Sequence, residues 1–185
     1  ASLERLDRQR DQSDWLKAGQ VALSDELRGE LDVASVANRS VAFLARRLEA
    51  SAGALYLVDP AGELGLEGRY AYSPPQGEGS HGDAPLGHFR AGEGLVGQAA
   101  LGDAIVVVDD VPKGYFTIRS GLGEAPPVAL VLAPLRHHEK SIGVIELALL
   151  APCSEPAKEL LESTRLTIAS ALVVARSRAA VAELL

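Results

Sequence analysis

Methionine is absent from this 185-residue chain, cysteine occurs once, and aromatic residues make up only 4%. Each scarcity excludes something. With Cys153 alone, neither an internal disulfide nor a structural zinc site built on several thiolates can form, and a reducing compartment fits. With no Met and few aromatics, Leu, Val, Ala and Ile must build the core. No run of about 18 apolar residues occurs, so the chain does not read as spanning a bilayer. Its first residues are too charged for a secretory signal. The net charge of −7 disfavours nucleic-acid backbones and anionic membrane surfaces alike. A cytoplasmic protein is expected, with no nucleic-acid partner and no direct membrane contact in this chain. At 47% hydrophobic it is globular, and its length suits one domain with helical extensions.

Residues 3–14 read as an exposed helix, after which Leu16, Leu23, Leu27 and Leu31 recur near helical spacing, with Gly29 as a stop. Asp32 is placed to cap a second helix whose Val33, Val36, Ala37, Val41, Leu44 and Leu48 share one face. Ala52–Val58 and Leu64–Tyr72 read as a hairpin around Asp59–Gly62. Ser73–Pro85 reads as a mobile loop, Leu86–Phe89 as a short strand, Leu95–Leu101 as a short helix and Ile105–Val108 as a strand. Asp109–Pro127 is long and turn-rich, which marks it as a functional cover. Val128–Leu135 and Ile142–Leu149 are strands joined by a turn over Arg136–Lys140. An α+β domain with a central antiparallel sheet of five or six strands is expected, its terminal helices on one face.

The last segment runs from Ser154, a helix cap, to Leu185, and is apolar nearly all round its middle. A helix of that kind needs two apolar neighbours. One is its own sheet. The other is a second copy of the chain or a separate partner domain, because Leu161, Thr164, Ile168, Ala171, Ala175, Ala182 and Leu185 follow heptad spacing, with Arg178 as the exception at one seam position. A homodimer through the terminal helices is the expectation. Both ends of the chain look cut from a longer protein.

Gly92-Glu93-Gly94-Leu95-Val96-Gly97 matches a dinucleotide-binding glycine pattern literally. Against that reading, no convincing strand precedes it, the helix is short, and Asp109 arrives earlier than the usual spacing of about 20 residues. A tight strand-to-helix turn explains the glycines better. In the strand at residues 142–149, alternation puts Val144, Glu146 and Ala148 on one face and Ile145, Leu147 and Leu149 on the other. The more apolar face takes the helices. A buried carboxylate must be paired, hydrogen-bonded or protonated. For Glu146 a salt bridge with Arg119, Arg136 or Arg69 is the leading expectation, with ligand contact and edge exposure as alternatives. Of the histidines, His81 lies in the mobile loop and His137 and His138 adjoin at a turn, so no metal site is expected. Cys153 precedes a helix cap, where a lowered pKa or a plain surface thiol are the options. No Ser/His/Asp set and no convincing carboxylate pair argues for catalysis.

Five blocks carry a resemblance: Gly92–Gln98, Ile105–Asp109, Ser120–Pro127, Ala133–Leu135 and Ile142–Leu147. In that order and spacing, over about residues 27–172, the chain resembles a GAF domain, the small sensory module of bacterial signalling proteins. The resemblance implies a GAF/PAS-like fold, with a connecting helix over 1–26, a sensory domain over 27–172, and the start of a signalling helix over 173–185. It implies a pocket on one sheet face covered by the segment before the central hairpin. Tyr115, Phe116, Arg119 and Ser120 from that segment then become candidate ligand contacts, with Arg119 suited to a carboxylate or phosphate. Packing of the two aromatics within the loop, with Arg119 solvated, is the alternative. Glu146, Tyr70 and His88 complete the candidate set. Histidines ligate haem in some redox-sensing members of that family, but nothing local to His88 supports the same role here, and no cofactor is expected. The Asn, Lys, Phe, Asp and Glu signature of cyclic-nucleotide-binding members is missing as a set. By the same resemblance the chain is a regulatory, non-catalytic small-molecule sensor, as placed ahead of histidine-kinase cores; a ligand-free dimerisation and relay module is the alternative. The free methionine sulfoxide reductases share the fold but use several cysteines, against one here.

Overall fold

The computed structural model describes residues 2–72 and 87–184. The segment expected as a mobile loop, residues 73–85, and His81 with it, lies outside the described residues. Helix α1 (Ser2–Glu26) is exposed over its first turns, as expected, but its second half packs. Leu23 is fully buried, Gly19 lies against Leu160, and the Arg47 guanidinium stacks over the Trp15 ring at 4.9 Å. Beyond it the Asp32 carboxylate accepts from the Ser35 N–H at 2.7 Å and starts α2 (Val33–Arg47), whose Val36, Ala37, Val41 and Leu44 turn inward.

Strands β1 (Ala52–Val58) and β2 (Leu64–Tyr70) form the expected hairpin, and β3 (His88–Phe89) adds to β2. The glycine motif enters α3 (Gly94–Leu101) as a turn: Gly92 and Gly94 have φ of +84° and +61°, and the Gly92 N–H donates to the Gly97 carbonyl at 2.9 Å. Then follow β4 (Val106–Val108), β5 (Ile118–Ser120), β6 (Gly123–Ala125), β7 (Ala129–His137), β8 (Lys140–Leu149) and α4 (Glu155–Glu183). Ser154 caps α4 by accepting from the Ala157 N–H at 3.3 Å.

One six-stranded sheet has the order β3-β2-β1-β8-β7-β4, antiparallel throughout, while β5 and β6 form a separate hairpin. Pairing of Ala54 with Glu146 and of Glu146 with Leu132 sets the phase across three strands. Leu55, Leu57, Ile145, Leu147, Leu149 and Val131 pack with α1, α2 and α4, forming the larger core. Ala52, Ala54, Tyr56, Val144, Ala148, Leu130 and Leu132 form a second cluster on the opposite face with Val96 and Ala99 of α3.

Most of the described heptad positions of α4 face its own domain; Ala182 is exposed, and Leu185 lies outside the described residues. Leu161, Thr164, Ile168 and Ala175 are buried in the single chain, so they offer no seam to a second copy. The cause is geometric: heptad and helical periods nearly coincide over four turns, and the stripe is satisfied by α2 and the sheet. Arg178 fits that arrangement, donating to the Leu31 carbonyl at 3.0 Å. Arg165 similarly reaches Pro134 O at 2.9 Å, and Arg176 reaches Val58 O at 2.6 Å. The apolar residues left outside on α4 are Leu166, Val174 and Val181, on the side away from that core.

Candidate ligand site

A cavity of about 180 Å³ opens on the sheet face opposite α4. Its floor comes from β1, β8 and β7, through Ala52, Ala54, Glu146, Ala148 and Leu130. Small alanines on adjacent strands leave the depth, since a larger side chain at Ala54 or Ala148 would fill it. Tyr56, Tyr72, Phe89, Tyr115 and Phe116 wall the space. The chain has eight aromatic residues, and five of them meet here. They lock one another edge to face: Tyr56 on Phe89 at 5.2 Å and 88°, Tyr72 on Phe116 at 5.7 Å and 65°.

Glu146 lies among these groups, half-buried, with its open side toward the cavity. The Tyr115 hydroxyl donates to its Oε1 at 3.2 Å. Burial raises the Glu146 carboxyl to about 7, and the hydrogen bond from Tyr115 opposes that rise only in part. The phenols of Tyr56, Tyr72 and Tyr115 are all pushed above their ordinary value, mainly by burial with a smaller push from the Glu146 carboxylate, while a hydrogen bond with Tyr56 partly offsets the rise at Tyr72, so they stay protonated. The site therefore offers a carboxyl that titrates near neutrality, ringed by neutral hydroxyls and aromatic surface.

Three candidates from the sequence meet at this cavity: Tyr115, Phe116 and Glu146. Four lie elsewhere. Arg119 and Ser120 are exposed on the β5–β6 hairpin, where Arg119 pairs with Glu124 at 3.2 Å and Ser120 bonds within its turn. Tyr70 packs with the helix-side core, and the His88 ring lies against Gly65. The arginines expected to pair with Glu146 are placed otherwise: Arg119 as described, Arg136 near Asp103 at 3.9 Å, and Arg69 exposed on β2. The sequence pattern does not single out Tyr56, Tyr72 and Phe89. Tyr56 sits in an unbroken apolar run whose phase no alternation reveals, while Tyr72 and Phe89 belong to no periodic pattern. Their rarity was the available signal.

Cys153 packs at the margin of the helix-side core, outside the cavity lining. Burial, more than the neighbouring charges, raises its thiol rather than lowering it, so the helix N-terminus does not activate it. Among the described residues no group of three or more His, Cys, Asp or Glu is placed to hold a metal, and no helix is long and apolar enough to cross a membrane.

Helices on one face of an antiparallel sheet, with a loop-capped cavity on the other, define a small α+β fold class. Within it the family is specific: a GAF domain model matches residues 30–173, and the chain belongs to that family, a signalling and ligand-binding fold. Solved structures agree on the fold. The GAF domain of an Acinetobacter phosphoenolpyruvate-protein phosphotransferase superposes with a TM-score of 0.66 at 19% identity, covering 90% of this chain and 95% of that one. The free methionine-R-sulfoxide reductase of Neisseria meningitidis, solved with its substrate, gives 0.63 at 19% identity over 90% and 91%. The GAF-B domain of DevS from Mycobacterium smegmatis gives 0.60 at 18% over 81% and 99%. No curated protein sequence matches this chain.

Proposed function

We propose that this is a regulatory, non-catalytic, small-molecule-sensing domain of a bacterial signal-transduction protein, a cytoplasmic sensor histidine kinase in the leading case. The observation that carries the reading is the cavity itself: a recess of about 180 Å³ with an aromatic wall and one carboxyl inside. Apolar cavities of roughly 150 Å³ accept a benzene-sized guest, so this one has room for a small metabolite. Tyr115 and Phe116 belong to the segment before β7, so a guest touching them acts on that cover. Glu146 and Leu130 sit on β8 and β7, whose opposite faces hold α4. A guest that prefers one setting of these strands thereby biases α4, and the residues from 173 on carry that bias out of the domain as a signalling helix. Non-catalytic character is supported by the position of Cys153, which lies outside the cavity lining, whereas reductase chemistry needs a thiol at the substrate.

Dimerisation through the terminal helices remains part of the proposal, with a changed contact surface. The outward residues Leu166, Val174 and Val181 of α4 and Leu3, Leu6 and Val21 of α1 are the available apolar positions. Val174→Asp should leave the fold intact and halve the mass measured by light scattering; an unchanged mass contradicts an α4 contact. For sensing, a dialysed metabolite extract of bacterial cells is titrated into isotope-labelled protein. Amide shifts in β1, β8 and residues 109–117, accompanied by shifts along α4, are expected. Shifts confined to the surface, or none, contradict the reading.

A further inference from the structure

We infer that the cavity selects small organic cations of the alkylammonium class, held between the aromatic wall and the Glu146 carboxylate. The inference rests on reading the cavity as the ligand site and adds the chemical class of the guest. Its ground is a charge imbalance. The lining brings one carboxyl and, among the described residues, no Lys, Arg or His. The Glu146 partner on the protein is Tyr115, a neutral donor. Arg119 is engaged by Glu124, and Arg136 lies beside Asp103 and donates to the carbonyls of Gly102 and Glu139. A carboxylate this enclosed needs a counter-charge or a proton. A cationic guest supplies the counter-charge that the chain withholds.

The wall favours the same class. Tyrosine and phenylalanine faces attract cations through the ring quadrupole, most effectively where water is excluded, and such cages are the recurrent receptors for quaternary ammonium groups. A phosphate or carboxylate ligand would instead face Glu146 with no cation to meet it. The Tyr115 hydroxyl, committed to Oε1, leaves Oε2 without a hydrogen-bond partner among the described residues. A guest bearing N–H or N–CH3 groups has both that oxygen and the rings within one small space.

Three probes of one shape test this by calorimetry: choline, its neutral isostere neohexanol, in which a tert-butyl group replaces the trimethylammonium, and the anion of tert-butylacetic acid. Choline should bind at least about tenfold tighter than neohexanol, as expected for a desolvated cation between rings and a carboxylate, and the anion weakest. Because choline carries a fixed charge, any pH dependence belongs to the site. The titratable groups facing Glu146 are Tyr56, Tyr72 and Tyr115, all neutral near pH 7. Choline affinity should therefore rise as pH passes upward through about 7, where Glu146 ionises. Glu146→Gln should abolish the pH dependence and shrink the charge preference to what the aromatic rings supply, and Tyr115→Phe should retain the preference. Equal binding of choline and neohexanol, or tighter binding of the anion, overturns the cation assignment and leaves the sensing reading standing. No binding by any of the three overturns the assignment, and only silence in the metabolite titration as well removes the ligand-site reading.

Discussion

Glu146 shows how one residue ties stability to recognition. Its carboxyl lies near 7 in the folded protein against an ordinary 4.5, through burial that the Tyr115 hydrogen bond only partly offsets. An acid raised on folding binds its proton more tightly in the native state, so stability is undisturbed below about pH 4.5 and falls as pH rises toward 7. The ionised form then costs on the order of 2–4 kcal/mol above that window. Glu146→Gln should accordingly stabilise the protein by about 2 kcal/mol near pH 8 and change little at pH 4, read from urea midpoints at the two pH values. A loss of stability in the variant near pH 8 would show that the carboxylate has a cationic partner. That expectation reverses the one a salt bridge would bring, and the difference lies in where three arginines point. Alternation along 142–149 was enough to place Glu146 on the face away from the helices. It could not locate Arg119, because residues 109–127 follow no period, and their short hairpin β5–β6 turns the guanidinium outward to Glu124.

At the scale of elements, caps and hairpins were legible because their signals are local: Asp32, Ser154 and the turn at Asp59–Gly62 each act within a few residues. The use of α4 was not legible, since an apolar stripe reads the same whether it meets its own sheet or another chain. Ile168 is fully buried within one domain, so Ile168→Asp should unfold the protein at about 3–5 kcal/mol or more, instead of releasing folded monomers. Circular dichroism and light scattering on the same sample distinguish the two results. The contact between α2 and β2 is as demanding. A Cβ added at Gly68 would come within 2.6 Å of the Ala37 carbonyl carbon, a backbone atom with no freedom to rotate away. Gly68→Ala should lower stability by about 1–3 kcal/mol, by forcing helix and strand apart. A thermal midpoint equal to that of the parent would mean the helix sits less closely than described.

Across the whole molecule, the two faces of one sheet divide the work. Helices α1, α2 and α4 bury the larger cluster, and Arg165, Arg176 and Arg178 fasten α4 to the carbonyls of Pro134, Val58 and Leu31. The other face keeps small side chains in its floor and gathers the scarce aromatics around them. A strand shared by both clusters transmits a shift on one side to the packing on the other, because close-packed layers move as units. A small molecule held in the aromatic-walled cavity is the premise of everything said of sensing. Native mass spectrometry of freshly purified protein, with the denatured mass taken alongside, tests it most directly, and Ala54→Phe provides the comparison by filling the floor. Extra mass should appear on the native parent, disappear on denaturation and be missing from folded Ala54→Phe. Equal extra mass on parent and variant would contradict that premise, as would a parent that gains none even after incubation with the metabolite extract.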